Sequence, residues 1–379
     1  MDLGSAFRLP PERVWLNASH QGPLPQRAAE AVQAMVGWKQ QPHHMSTPEP
    51  FVEIPGRLRS VLAELLGAGT DEIALANSSS YGLHVVANGL GLEAGDEVIV
   101  AANDFPSDVL PWLRLKDHGV VVKQLQPEGE VLTAEEIAAE ISPATRAVCL
   151  TWVHSFSGHV IDLDAVGELC RRNGALFVVN GAQGVGGIPV VPGSRSVDAL
   201  VGVGFKYLCG PYGTGLLWLG SRAMDQVSSD KLYWLSALTA DDLAREVLDL
   251  DQIEAPTSAA RHDVFGTANF FNFAAFAASA GLVLETGVDR IYAHNLALAE
   301  RLVDGIDPAR FELQDRGPVE CQSSILFARP LRNSLEEVGA RLVAGGVDVA
   351  RRRGMIRLAP HFYNTAADID RALEVINRV

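Results

Sequence analysis

Residues 175–206 read ALFVVNGAQGVGGIPVVPGSRSVDALVGVGFK, and this stretch decides the fold. Two runs in it, Ala175–Val179 and Ala199–Phe205, are almost wholly apolar. They lack the polar alternation of a sheet with one wet face, so both are expected to be strands covered on both sides. The first run ends at Asn180, with Gln183 close behind, and the second ends at Lys206. Ligands of open α/β sheets bind beyond the carboxyl ends of the strands, so Asn180 and Lys206 are expected to face one crevice.

Working outward, the runs Glu72–Ala76, Glu97–Ala101, Val120–Leu125, Ala147–Val153 and Gly215–Leu219 have the same character, and helix-period segments separate them. Asp162–Asn173 is such a segment. Asp162 is a good N-cap, Leu163, Val166, Leu169 and Cys170 share a face, and Asn173-Gly174 ends the helix. Strand–helix alternation of this kind predicts a large α/β domain with a mainly parallel seven-stranded sheet over residues 20–269. After Asn269 a long helical stretch leads into a mixed segment with strands at Ser324–Phe327 and Met355–Leu358. Residues 1–19 and 270–379 are therefore assigned to a smaller α+β domain. The polar, proline-bearing stretch Gln40–Pro50 is expected to be a loop that can act as a lid.

In a chain of 379 residues, hydrophobic residues make up 47% and charged residues 20%, which excludes a largely disordered protein. The formal net charge is −15, and the longest basic run is Arg351-Arg352-Arg353. That balance argues against a nucleic-acid partner. The four cysteines (Cys149, Cys170, Cys209 and Cys321) have no Cys-x-x-Cys spacing and read as thiols rather than a disulfide framework. No basic-then-apolar leader is visible, and the apolar windows are interrupted or too short to span a bilayer, so a soluble cytoplasmic protein without a membrane partner is expected.

Nucleotide and metal signatures are missing. Neither Gly-x-x-x-x-Gly-Lys-Ser/Thr nor Gly-x-Gly-x-x-Gly after the first strand occurs, and His43-His44 has no third ligand nearby. The informative residue is Lys206, which ends an apolar run and precedes the turn Gly210-Pro-Tyr-Gly. A lysine there can snorkel out of a strand end. Buried, it becomes a neutral amine able to attack a carbonyl. The segment alone leaves both readings open.

Several separated motifs, taken together, resemble the class V aminotransferase group of pyridoxal-phosphate enzymes of fold type I. The resemblance runs from Leu16-Asn-Ala-Ser-His-Gln-Gly-Pro to Arg357-Leu-Ala-Pro-His-Phe-Tyr. It implies that Lys206 holds pyridoxal 5'-phosphate covalently and, once released by substrate, moves protons at the substrate carbon. Gln183 and Ser155 match groups beside the cofactor's phenolic oxygen. Asn77-Ser-Ser-Ser-Tyr-Gly resembles the phosphate turn, in which Ser79 and Ser80 offer hydroxyls and amides at a helix N-terminus; taken alone, the serines would be a plain N-cap. Phe105, in Asn103-Asp-Phe-Pro-Ser-Asp, matches the ring that lies on the pyridine, with Asp108 close by. Arg357 matches the clamp for the substrate carboxylate, and residues around His20 belong to the substrate side. Thr267, in Phe265-Gly-Thr-Ala-Asn, matches a residue that reaches a neighbouring subunit's phosphate, which implies a homodimer with shared sites.

Two departures bear on activity. The family has Asp where Asn180 stands, and that carboxylate keeps the ring nitrogen protonated; a neutral amide cannot supply the charge. Val203 and Phe205 also replace polar residues that help grip the phosphate. A cysteine desulfurase needs a thiol close before the carboxylate-binding arginine, and none occurs between Gln322 and Val379, which argues against that reaction. The expected function is therefore a pyridoxal-phosphate enzyme acting on a small amino-acid substrate or cysteine S-conjugate. A lyase-type C–S or C–C cleavage or an oxidative decarboxylation–deamination in antibiotic biosynthesis is expected, with epimerase or aminotransferase as alternatives. The rival of another class is a pyridoxal-phosphate-binding protein without catalysis.

Overall fold

The computed structural model describes residues 4–43 and 48–379. His44 and the middle of the expected 40–50 loop lie outside the described residues. At the loop's far end Glu49–Glu53 already forms a helical turn that runs into the helix Ile54–Leu66.

The strands in chain order are β1 (Val14–Trp15), β2 (Ile73–Ala76), β3 (Glu97–Ala101), β4 (Val121–Leu125), β5 (Thr145–Thr151), β6 (Leu176–Asn180), β7 (Ala199–Val203), β8 (Gly215–Leu219), β9 (Phe311–Leu313), β10 (Leu326–Pro330), β11 (Val347–Asp348), β12 (Ala350–Arg352) and β13 (Met355–Leu358). A seven-stranded sheet has the order β2-β8-β7-β6-β5-β3-β4, as the sequence implied. Its pairings are parallel except for those of β8, which runs antiparallel to both β2 and β7. Strands β2, β5, β6, β7 and β8 are buried along nearly their whole length, which is why their sequences carry no polar alternation.

Helices cover both faces. The helices Ser79–Gly89 and Pro106–Arg114 pack Leu83, Val86, Val109 and Trp112 on one side. On the other side lie Ile54–Leu66 and Leu163–Arg172, the latter capped by Asp162 Oδ1 accepting from the Asp164 and Ala165 N–H groups. Phe270–Thr286 brings Phe273 and Phe276 to this same face. The pattern change after Asn269 thus marks the start of a helix that still serves the large-sheet core. At Gly287 the chain bends by 79° into the helix Val288–Gly305, whose Ile291 still joins the large-sheet core and whose Leu298 and Leu302 join the second. No single helix among the described residues is long and apolar enough to cross a membrane.

The second core gathers Leu298, Leu302, Phe311, Leu342, Ile356 and Ile369 around a four-stranded antiparallel sheet of order β12-β13-β10-β9. The parallel pair β1–β11 joins the N-terminal arm to this core.

Two sheet details position the site. Strand β7 stops at Val203 rather than Phe205, because Gly204 leaves the ladder to bond Thr214 O and receive the Gly210 N–H. The helix Ser79–Gly89 lies tight on β7 through Gly82, where a Cβ would come 2.6 Å from Val201 Cγ1. Helix propensity alone would make Gly82→Ala stabilising by about 1 kcal/mol. Crowding against Val201 should instead make it destabilising by about 1–3 kcal/mol, measured as a lowered urea midpoint; a raised midpoint would mean that the helix is not seated through Gly82.

Candidate active site

A cavity of about 410 Å³ opens at the carboxyl ends of β5, β6 and β7, where Thr151, Asn180 and Val203 reach it. Lys206 enters from the turn after β7. The turn is closed by the Cys209 N–H donating to Lys206 O, with Cys209 at φ 51°. The N-terminal arm lies across the turn: Gly22 N–H donates to Phe205 O at 2.8 Å, and a Cβ on Gly22 would sit 2.2 Å from Lys206 O. Only glycine permits that approach. The Lys206 Nζ stands 5.9 Å from the centre of the Phe105 ring, which is 43% exposed and projects into the cavity.

The amine is strongly perturbed. Burial, and after it the positive charge of Arg357, lower the Lys206 pKa to about 8, with Asp108 opposing. Arg357 is 3% exposed and donates to Ser155 O at 3.1 Å, while its Nε has no partner. Burial lowers it to about 10, so it stays cationic at neutral pH.

Asn180 is held at both ends. Its Oδ1 accepts from the Ala182 N–H at 3.0 Å, and its Nδ2 donates to Asp108 Oδ2 at 3.0 Å. A backbone donor on one side and a carboxyl acceptor on the other fix which way the amide points. Asp108 does not line the cavity; it lies fully buried behind Asn180, with Oδ1 unpartnered. Burial, then Asp104, push its carboxyl well above the usual range, with Asn180 opposing.

Gln183 donates to Ser19 O at 3.0 Å and more loosely to Ser155 Oγ at 3.4 Å, leaving its own Oε1 buried and unpartnered. In the serine run the capping role falls to Ser78, whose Oγ accepts from the Tyr81 N–H. Ser79 and Ser80 are then the first residues of the helix, and both line the cavity. His20, carried by the arm, lines the opening. Thr267 is buried outside its own chain's cavity, its N–H directed to the Tyr233 hydroxyl at 3.3 Å.

The sequence reading left several lining residues unassigned. Ser78 sits in the same serine run, Thr151 stands at a strand's carboxyl end, and Phe156 follows Ser155. Arg352 belongs to a basic run weighed only against nucleic acid, and Tyr212, stacked on Phe205 at 4.0 Å between ring centres, belongs to the Gly210 turn. No cysteine lines the cavity. Cys321 lies on the short turn Val319–Cys321, where its carbonyl accepts from the Val160 N–H.

The sequence model for "Aminotransferase class-V" matches residues 23–372. The chain belongs to this family. Among its relatives, a probable cysteine desulfurase of Methanothermobacter thermautotrophicus is 26% identical, covering 85% of this chain and 82% of the relative. An uncharacterized aminotransferase of Bacillus subtilis, YcbU, is 30% identical over 84% and 82%. Isopenicillin N epimerase of Streptomyces clavuligerus is 25% identical over 97% and 95%. In fold the chain is similar to the cystine C–S lyase C-DES, solved with its product cysteine persulfide, at a TM-score of 0.86 and 20% identity over 96% of this chain and 97% of that one.

The protein is thus a pyridoxal-phosphate-dependent class V enzyme of fold type I. The residues fit the cofactor on their own terms. Thr151 Oγ1, Ser19 Oγ, Gln183 Oε1 and Arg357 Nε are all buried without partners, and their residues all line one cavity. Buried polar atoms of this kind are costly unless a bound group satisfies them. Lys206 would hold the aldehyde carbon, Phe105 would cover the ring, and the Ser79–Ser80 helix start would take the phosphate.

Acetic anhydride labelling of cofactor-free protein, read by mass spectrometry at Lys206, should rise with pH and reach its half-maximum near the depressed pKa of about 8. In Arg357→Gln the midpoint should move upward, because a neighbouring positive charge has been removed. A midpoint near 10, the value of an ordinary exposed lysine, would show that the amine is not desolvated.

Proposed function

We propose that this enzyme cleaves the Cβ–S bond of cysteine S-conjugates by elimination. The observation that carries the reading is the fixed amide of Asn180. With its oxygen bonded to Ala182 and one N–H to Asp108, the amide has a single N–H left to donate and no carboxylate charge to offer. When bound, the cofactor supplies an electron-withdrawing ring, and that pull is weaker if its nitrogen is not held protonated. A reaction in which the electron pair departs at once with a leaving group depends least on that pull. A thiolate at Cβ is such a group.

The chain's own residues divide the work. Arg357, desolvated and anchored on Ser155 O, binds the substrate carboxylate through its remaining N–H groups. Lys206, with its pKa near 8, removes the Cα proton and passes it to the departing thiolate, which leaves as the thiol. Phe105 and Phe156, 6.2 Å apart and nearly parallel, exclude water from one side. The relatives named as desulfurases do not extend that activity to this chain, because no thiol reaches the cavity to accept sulfur. A homodimer is part of the proposal: Thr267 does not serve its own cavity, and Tyr212, Trp234 and Phe265 leave apolar rings at least half exposed. A holoenzyme that turns over as a monomer would remove that part.

The test is product analysis with a panel of cysteine S-conjugates. Thiol, pyruvate and ammonia should appear in equal amounts. Lys206→Ala should lose activity by about a thousandfold or more, in line with loss of a nucleophile that is also the base. Asn180→Asp should remain active with an altered rate. Inverted amino acid, amino-group transfer or carbon dioxide release in place of pyruvate would establish epimerase, aminotransferase or decarboxylase chemistry instead. Full activity of Lys206→Ala would end the mechanism.

A further inference from the structure

The cavity's charge does not match the chain's. The whole sequence carries −15, yet among the described residues the charged side chains lining the cavity are Lys206, Arg352 and Arg357, with no carboxylate. Two of these cations have work in the proposed reaction. Arg352 has none.

Its position is set by the hairpin of β12 and β13. Ala350 pairs with Arg357 and Arg352 with Met355, so Arg352 lies two residues along from the position opposite Arg357 and projects from the same face. Diagonal neighbours of this kind are about 7–8 Å apart. The next residue docks the hairpin on the cavity wall: the Arg353 guanidinium lies 4.9 Å from the Phe156 ring centre and donates to Asn103 O at 3.4 Å. Arg352 itself donates only to the carbonyl of Arg351, and no acidic side chain among the described residues pairs with it. His20 shares this field. Burial, then Arg352, Arg357 and Lys206, lower its pKa, which leaves a neutral ring that can donate one N–H.

We propose that Arg352, with His20, forms a second anion subsite, and that the substrate carries a carboxylate at the far end of its side chain. The inference rests on the reading above, in which Arg357 takes the α-carboxylate. One guanidinium per carboxylate then accounts for both arginines on this face. A substrate with a neutral side chain would leave Arg352 facing the bound molecule without a counter-charge.

The experiment compares S-carboxymethylcysteine with its isosteric amide, S-carbamoylmethylcysteine, on the holoenzyme. The acid should be preferred in kcat/KM by about ten- to hundredfold, the range of a hydrogen-bonded charge pair. In Arg352→Gln the acid-to-amide ratio should fall close to one, and Arg352→Lys should restore part of it. A purely structural role for Arg352 would lower both substrates together and leave the ratio standing, which overturns the proposal. So does an equal preference in the unaltered enzyme. A second measurement separates this inference from the reaction it rests on: calorimetric binding of glutarate and of butyrate to the holoenzyme. If neither conjugate is cleaved yet glutarate binds about tenfold more tightly than butyrate, and Arg352→Gln abolishes the difference, the elimination reading falls and the subsite stands. If conjugates are cleaved without preference and the two acids bind alike, the subsite falls and the elimination reading stands.

Discussion

The rest of the site depends on setting one half-buried amine next to a second cation. Lys206 is desolvated and faces Arg357, and both effects favour its neutral form at a pH where a surface lysine would be charged. The surroundings sustain this. The turn after β7 is pinned to the N-terminal arm through Gly22, the strand ends beside it are buried, and Arg357 is itself fixed to the loop after β5 by Ser155 O. Loosening any of these would solvate the amine further and return its pKa toward that of a free lysine.

Around that amine the molecule separates its charges. Among the described residues no carboxylate lines this cavity of a strongly acidic chain; Asp108 lies fully buried behind Asn180, and Asp104 Oδ2 accepts from the Thr151 N–H at 2.9 Å. A carboxylate at position 180 itself would face the bound ring directly. Here a neutral amide stands in front and a carboxyl of raised pKa stands behind. With the cofactor bound, this arrangement would withhold charge from the ring nitrogen, and the proposed roles of Arg357 and Arg352 would place anions elsewhere in the cavity. A site built this way suits chemistry in which negative charge leaves with a departing group.

Much of this was legible in the sequence. Short apolar runs with no polar alternation, set between helix-period segments, read as strands buried on both faces, so the large sheet and its crevice followed from residues such as Val178, Val179 and Leu200. Asp162 and Asn173 bounded their helix as capping chemistry dictates. The short strands were not legible, because two or three residues, as in Val14–Trp15 or Ala350–Arg352, carry no measurable period. Which core takes the helix Phe270–Thr286 was hidden too, since it looks the same from sequence whichever core receives Phe273 and Phe276. Of the site, Asn180 at its strand end, Lys206 in the turn after β7, Arg357 in the hairpin and His20 on the arm were found, while Thr151 at a strand end and Arg352 in the hairpin were not. Arg352 reaches the cavity only through the register of β12 with β13, which composition cannot supply.

The most direct test of the central claim is to reduce the pyridoxal-phosphate-loaded enzyme with borohydride, digest it and locate the added phosphopyridoxyl mass by peptide sequencing. The account predicts a single labelled site, Lys206. Label on another lysine, or none on a protein that had taken up the cofactor, would contradict it.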